Sequence, residues 1–219
     1  MVEDKPTEEL VMIYLFLAPG FEEVEALAPL DLMRRAGLEV TTVAIRSADY
    51  NQFLERCYRT GMSATNLWID ERTVTGSHGI TVTADIHEGH FARLLEKNRF
   101  SAEAVILPGG MPGTTNLDAS PALHRALKQA FEQNAYVCAI CAAPMILGKQ
   151  GYLRGKRATC FPGFESYLEG AKVGGKVIRD GNIITAAGMG VAQEFGLEIV
   201  SALVSPEKAG EIREAIQSL

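Results

Sequence analysis

The run Val11-Met-Ile-Tyr-Leu-Phe-Leu17, halted by Ala18-Pro-Gly20, decides the fold. An apolar run without polar alternation suits a strand covered on both faces, as at the centre of a parallel sheet. Residues 22–36 follow with Val24, Leu27, Ala28 and Leu32 at helical spacing, and Gly37 closes the pattern. Pro29 lies inside that helix and is expected to clash with the carbonyl of Glu25. Leu38 to Ile45 reads as a second strand. Further strands are expected at 79–84, 103–107, 135–140, 157–160 and 182–186. Helices are expected at 91–97, 120–133, 142–149, 191–204 and near 207–217. Asp180-Gly181 reads as the turn of a hairpin between Lys176-Val-Ile-Arg179 and Asn182-Ile-Ile-Thr185. Strands alternating with helices give an α/β fold, an open and mostly parallel sheet with helices on both faces. No repeat or low-complexity linker divides the chain, so residues 1–219 read as one domain.

Composition narrows the function classes. The chain has 219 residues, 47% hydrophobic and 22% charged, which is ordinary for a globular protein. A net charge of −6 offers no basic surface, so no nucleic-acid partner is indicated. No apolar run approaches the roughly 18 residues of a membrane span, so no membrane partner is indicated either. The acidic opening Met1 to Glu9 is the opposite of a signal peptide's basic start, and a cytoplasmic location is expected. Four cysteines, Cys57, Cys138, Cys141 and Cys160, do not make a disulfide scaffold in a chain this long. Residues 46–73 form an insertion: Tyr50, Phe53, Leu54 and Cys57 recur at helical spacing, and the chain's one tryptophan, Trp68, is there. A lid, an oligomer contact or a locally packed surface excursion all fit, the last best.

In open α/β sheets, ligands gather beyond the carboxyl ends of the strands. Three segments meet that condition: Gly20-Phe-Glu-Glu-Val-Glu25, Pro108-Gly-Gly-Met-Pro-Gly113, and Cys141 after the strand at 135–140. Cys141 ends an apolar run and is followed by small residues, which sets its sulfur on a tight strand-to-helix turn. Free N–H groups opening a helix there would favour the thiolate; a buried structural cysteine is the alternative. The N–H groups of Gly109 and Gly110, with that of Ala142, are candidates for an oxyanion pocket; a plain Gly-Gly turn also fits. Glu25 is the candidate carboxyl beside the sulfur, held towards its protonated form by the repulsion of two anions. Glu22 and Glu23 are expected to face solvent or cap the helix.

The four histidines, His78, His87, His90 and His124, all precede Cys141, so no glutaminase-type triad follows the thiol. His87-Glu-Gly-His90 has loose metal-pair spacing but lacks a third ligand; exposed side chains are expected, with no metal and no cofactor. Cys138-Ala-Ile-Cys141 matches a dithiol spacing, but Cys138 lies within the strand. Alternation there should send Cys138 and Ile140 to one face, and Ala139 and the elbow to the other.

Taken together, Ala18-Pro-Gly-Phe-Glu-Glu-Val-Glu25, Met33-Arg-Arg-Ala-Gly37, Leu107-Pro-Gly-Gly-Met-Pro-Gly-Thr-Thr-Asn-Leu117, Ala139-Ile-Cys-Ala-Ala-Pro144, Ala158-Thr-Cys-Phe-Pro162 and Asp180-Gly-Asn-Ile-Ile-Thr185 resemble the ThiJ/PfpI superfamily. The likeness is to the branch of the Parkinson-disease protein deglycase and its bacterial relatives. It implies a single flavodoxin-like domain of the class I glutamine amidotransferase-like kind, and a homodimer. It also implies that Cys141 is the oxidation-prone nucleophile, Glu25 the protonated carboxyl beside it, and Gly110 and Ala142 the backbone donors. Gly109, Cys160, Phe161 and Gly188 are the remaining pocket candidates.

The implied activity is a cysteine-dependent glyoxalase or protein deglycase acting on small α-oxoaldehydes or glycated-protein adducts. An oxidative-stress sensor or chaperone working through Cys141 oxidation is the alternative. Phe161 stands where human-type members carry a histidine, removing one candidate proton shuttle. Ala142 stands where the protease relatives carry histidine, which argues against a peptidase. Ala187-Gly-Met-Gly-Val191 departs from the family's Arg-Gly-Pro-Gly-Thr type of loop and alters one pocket wall.

Overall fold

The computed structural model describes residues 12–47, 71–97 and 99–218, with the isolated positions 49, 56 and 59. The apolar pattern at Tyr50, Phe53, Leu54 and Cys57, together with Trp68 and Val11, lies outside those residues. In chain order, β1 (Met12–Leu17), α1 (Glu23–Arg35) and β2 (Val40–Ala44) come first. After residue 70 come β3 (Thr73–Thr75), β4 (Thr81–Thr83), β5 (Ile86–His87) and α2 (Glu88–Glu96). Then follow β6 (Ala102–Leu107), α3 (Gly113–Asp118), α4 (Pro121–Glu132), β7 (Tyr136–Ile140) and α5 (Pro144–Lys149). The last part holds β8 (Arg157–Ala158), β9 (Lys172–Val173), β10 (Val177–Asp180), β11 (Ile183–Ala186), α6 (Ala192–Leu203) and α7 (Pro206–Ala215).

Seven strands make the main sheet in the order β10-β11-β7-β6-β1-β2-β5, parallel except for the β10–β11 hairpin. Its middle, β2-β1-β6-β7-β11, has the flavodoxin-like order, whose switch point lies between β1 and β6. Alternation along β1 fills both faces. Tyr14 and Phe16 join a core with Phe91, Leu107, Leu123, Val137 and Ala139. Ile13, Leu15 and Leu17 join the opposite one with Met33, Ile106, Cys138, Ile140, Phe195 and Ile199. Burying one such side chain stabilises the fold by about 1.5–3 kcal/mol, so β1 is the spine of both layers. Among the described residues, no helix is long and apolar enough to cross a membrane.

Several expectations shift. Pro29 cannot give Glu25's carbonyl its usual N–H, yet α1 runs unbroken. Pro29 also lies against α6: a Cβ on Gly196 would lie 2.7 Å from Leu32 Cδ1 and 2.8 Å from Pro29 Cα. The strand expected at 79–84 pairs with β3 in a separate two-stranded sheet. The one expected at 157–160 is cut to β8, off the main sheet, because Thr159 bonds through its side chain. Its N–H donates to Thr185 Oγ1 at 2.9 Å, and its hydroxyl to Gly175 O at 2.8 Å. The insertion leaves and returns at one place, where both carboxylate oxygens of Glu71 accept from Arg46 Nη2 at 2.8 Å.

Candidate active site

The carboxyl ends of β1, β6 and β7 lie side by side, and the loops that leave them interlock through backbone groups. Glu22 N–H donates to Gly109 O at 2.9 Å, and Gly113 N–H to Gly20 O at 3.1 Å. Gly110 has φ +90°, and a Cβ there would strike the Glu22 nitrogen; only glycine tolerates both demands.

Cys141 follows β7 with φ +64°, left-handed backbone in a residue that has a Cβ. Such a conformation costs about 1–2 kcal/mol and persists because both flanking backbone groups are fixed. Cys141 N–H donates to Ala186 O, and Cys141 O accepts from Phe161 N–H, each at 2.8 Å. The bend corrects the expected alternation: Cys138 and Ile140 do share one face, but Cys141 packs against that same core instead of the opposite one. Cys138, Cys141 and Cys160 are free thiols.

Glu25 comes from the first turn of α1. Glu22 caps that helix, its Oε2 accepting from Glu25 N–H at 2.7 Å, and the cap fixes the direction in which Glu25 projects. Glu25 is 1% exposed. It accepts from Gly109 N–H at 3.0 Å, and the Cys141 thiol and the Met189 N–H lie near enough to lower its pKa. Gly109 has no room for a side chain: a Cβ would lie 2.5 Å from Glu25 Oε2 and 2.6 Å from Cys141 Cβ. Its N–H is therefore committed to Glu25 and leaves the expected oxyanion pocket. The N–H groups of Gly110 and Ala142 are the ones that reach the Cys141 sulfur.

The electrostatics differ from the sequence expectation. Helix α5 starts at Pro144, three residues beyond Cys141, so the sulfur is not seated on a helix opening. Burial first, and then the charge of Glu25, push the Cys141 thiol up to about 12, against the pull of the Gly110 and Ala142 N–H groups. Burial likewise raises the Glu25 carboxyl to about 7, with Glu22's charge adding to it. Each anion of the pair disfavours the other. Protonating Glu25 removes that repulsion and turns the carboxyl into a donor. The thiolate is thus reached by passing the thiol proton to Glu25, within the pair.

Cys141, Glu25, Gly109, Gly110, Ala142, Phe161 and Gly188 converge, whereas Cys160 does not. Cys160 is buried in the core on the Phe16 side of the sheet, and burial raises its thiol to about 11. Glu23 corrects the expectation of a solvent-facing residue. It is buried under the β3–β4 hairpin, accepting from His78 N–H at 2.7 Å, from the Ser77 hydroxyl at 3.3 Å and from Ile80 N–H at 3.4 Å. Its Oε2 also lies 2.9 Å from His78 Nδ1. Burial raises that carboxyl, but the His78 ring and these N–H donors outweigh it and hold it at about 2.

Glu22, Glu23 and His78 each place a ligand atom within 4.8 Å of the others. The carboxylates already accept as helix cap and hairpin anchor, so the trio reads as a closed hydrogen-bonded set. His87 Nδ1 faces Glu71 Oε2 at 2.9 Å, and its ring centroid is 6.5 Å from that of His90. Met189 is the residue that sequence reasoning missed. It acts through a backbone N–H, which carries no side-chain signature.

A profile of the DJ-1/PfpI family matches residues 11–202. Protein dj-1beta of Drosophila melanogaster is 29% identical over 205 residues, 92% of this chain and 94% of that protein. The Parkinson disease protein 7 homolog of Danio rerio is 30% identical over 203 residues, 91% of this chain and 93% of that protein. The structure of oxidised Toxoplasma gondii DJ-1 superposes with a TM-score of 0.77 at 28% identity, covering 94% of this chain and 98% of that one.

Proposed function

The chain belongs to the DJ-1/PfpI family, and we propose from that membership and the Cys141–Glu25 pair that it is a cysteine-dependent glyoxalase or deglycase-like hydrolase of α-oxoaldehydes or their protein adducts. The observation that carries this reading is the placement of the buried Glu25 carboxyl and Cys141 against the same Gly109 backbone, where burial raises the carboxyl to about 7. A proton-transfer group works best when its pKa lies near the operating pH. In the proposed reaction, Glu25 takes the thiol proton as sulfur attacks the aldehyde carbon. The C–S bond forms, and the carbonyl π pair moves onto oxygen. Gly110 and Ala142, whose N–H groups face the sulfur at rest, are the nearest donors for that oxygen. Once the oxygen has taken the proton from Glu25, the adduct is a hemithioacetal. Glu25 then removes the proton on the former aldehyde carbon and returns it to the neighbouring keto carbon, while the hemithioacetal hydroxyl proton passes to the keto oxygen, leaving a 2-hydroxy thioester. Water cleaves the thioester to a 2-hydroxy acid and the free thiol, so one aldehyde and one water give one acid.

The test is methylglyoxal consumption with lactate formation. Wild-type protein should turn over, Cys141→Ser should not, and turnover equal to that of a free thiol would remove the reading. A homodimer in the cytoplasm belongs to the same proposal, and light scattering after gel filtration tests the dimer.

A second reading makes Cys141 a sensor. It draws on the Toxoplasma relative, whose structure is of an oxidised protein, and on the part-exposed position of Cys141 beside two N–H donors. Two peroxide molecules would convert the thiolate to a sulfinate and release two waters. Mild peroxide should then add two oxygens to Cys141 alone; even oxidation of all four thiols would exclude a tuned site.

A further inference from the structure

Strand β11 is buried along its whole length, yet it carries a hydroxyl at Thr185. Ile184 and Ala186 enter the core on the Phe195 side of the sheet and Ile183 the one on the Phe16 side, so alternation gives Thr185 the Ile183 face. A polar group in such a place costs stability unless it is hydrogen-bonded. Its partner is a backbone group: Thr185 Oγ1 accepts from Thr159 N–H at 2.9 Å. Thr159 is itself buried, and its hydroxyl donates to Gly175 O at 2.8 Å.

Thr159 opens a short strap that reaches Cys141. Strand β8 stops at Ala158, and residues 159–161 run on outside any strand. Phe161 N–H then donates to Cys141 O, and Cys141 N–H donates to Ala186 O, each at 2.8 Å. The two restraints on the left-handed cysteine therefore return to adjoining residues of one strand. Ala186 holds the N–H side directly, and Thr185 holds the carbonyl side through the strap. Phe161 also lies against the following loop, where a Cβ on Gly188 would be 3.3 Å from its ring and 3.9 Å from Glu25 Oε1. A strap that moved would disturb the backbone under the sulfur and the loop beside the carboxyl together. Because φ +64° is unfavourable for a residue with a Cβ, Cys141 has an ordinary conformation to fall back to once its carbonyl is released.

We infer that Thr185 is a positioning residue: its hydroxyl, acting through Thr159 and Phe161, holds Cys141 in the backbone conformation that sets the sulfur beside Glu25. The inference rests on Cys141 being the reacting group of the proposed function, but it concerns where the sulfur sits and is read without turnover. Thr185→Val keeps the shape of the side chain and removes the acceptor, leaving the Thr159 N–H buried and unpaired. Thr185→Ser keeps the acceptor. Iodoacetamide alkylates a thiolate, the C–S bond forming as iodide leaves, and peptide mass reads the rate at Cys141 alone.

While the thiol proton passes to Glu25, the alkylation rate follows the carboxyl and rises through about pH 7. A sulfur released from that pair follows an ordinary cysteine instead. Wild type and Thr185→Ser should share the first profile, and Thr185→Val should shift its midpoint up by about 1.5 pH units, towards the free-cysteine value of about 8.5. Ile212→Val, a core truncation in α7, should leave the profile in place, since lost stability alone does not move the sulfur. A Thr185→Val profile that coincides with wild type overturns the inference, and so does a Thr185→Ser profile shifted as far as that of Thr185→Val. Amide exchange of the wild-type protein needs no variant and decides the matter if Thr185→Val does not fold. The Thr159, Phe161 and Cys141 N–H groups should be protected to within about tenfold of one another, and a Phe161 N–H less protected than that of Thr159 by more than about tenfold would show that the strap does not hold the cysteine. Aldehyde turnover by wild type with an unmoved Thr185→Val profile removes this inference alone. A Thr185-dependent profile in a protein without aldehyde turnover keeps it and removes the aldehyde reading.

Discussion

Replacing Glu25 by Gln removes an ionisation while keeping an acceptor for the Gly109 and Met189 N–H groups, and the structure fixes what that does to stability. The carboxyl's ordinary value of 4.5 is raised to about 7 in the folded protein, burial being the largest cause. A raised carboxyl binds its proton more tightly in the folded state, so its stabilisation is complete below pH 4.5 and is lost as pH climbs from there through about 7. Every tenfold gain in proton affinity on folding is worth about 1.4 kcal/mol, so the wild-type protein loses about 3 kcal/mol over that window relative to a neutral side chain. Glu25→Gln should therefore gain about 3 kcal/mol on wild type between pH 4.5 and pH 8. Urea unfolding at the two pH values should show this as a relative midpoint shift of about 1–2 M, given a slope of roughly 2 kcal/mol per molar. Cys141 does not interfere, because its raised thiol keeps its proton throughout the window. Glu23, held at about 2, titrates alike in both proteins. A gap between variant and wild type that does not move with pH, or that moves the other way, refutes the claim that the carboxyl is held protonated by burial.

Aldehyde kcat/KM should rise with pH through about 7 as Glu25 becomes the base that takes the thiol proton, and a profile rising only near the ordinary thiol range would point to solvent instead. Gly109→Ala places a methyl 2.5 Å from Glu25 Oε2 and 2.6 Å from Cys141 Cβ, so kcat should fall about 100-fold; unchanged turnover would mean that the pair tolerates being pushed apart. Because Cys141 is left-handed at φ +64°, Cys141→Gly should be more stable than Cys141→Ala by about 1 kcal/mol in denaturant melts, and the reverse order would deny the strain. Gly196→Val should lower stability by about 1–3 kcal/mol, since its Cβ would meet Pro29 Cα at 2.8 Å; a neutral result would show that α1 and α6 can slide apart.

The sheet was legible because its strands are buried on both faces, and that leaves a plain trace in the chain: unbroken apolar runs at Met12–Leu17, Ala104–Leu107 and Val137–Ile140. The hairpin was legible from its turn residues, but Asp180 pairs with Ile183, so the loop is Gly181-Asn182, one position on from the expected Asp180-Gly181, with Gly181 at φ +63° as its first position requires. Cys141 and Glu25 were legible as chemistry placed at strand ends. Their electrostatics were not, because burial is a property of three loops closing together and no local pattern encodes it. Cys160 was misplaced because sequence proximity to Phe161 says nothing about which side of the sheet a side chain enters. Glu23 was misread for a related reason: the hairpin that covers it is contributed by residues 73–83, about fifty positions downstream, where the sequence shows only a short threonine-rich strand.

The same features that make this corner of the molecule unfavourable are the ones that suit it to chemistry. Near neutral pH the buried carboxyl costs about 3 kcal/mol, and the left-handed cysteine about 1–2 kcal/mol more, against a total stability of about 10 kcal/mol for a typical domain. The Cys141 thiol and the Gly109 and Met189 N–H groups pull the carboxyl back down without cancelling the effect of burial. A lysine or arginine beside Glu25 would lower its pKa, and among the groups acting on it the structure instead supplies Glu22, which raises it. Glycine at position 141 would relax the backbone and remove the sulfur. The charge of Glu22 is held in place by its own duty as the cap of α1, so the helix that delivers Glu25 also keeps its proton poised. A change that loosened the cap would move the position of the carboxyl and its pKa together, which is why cap, carboxyl and thiol are one unit in this fold.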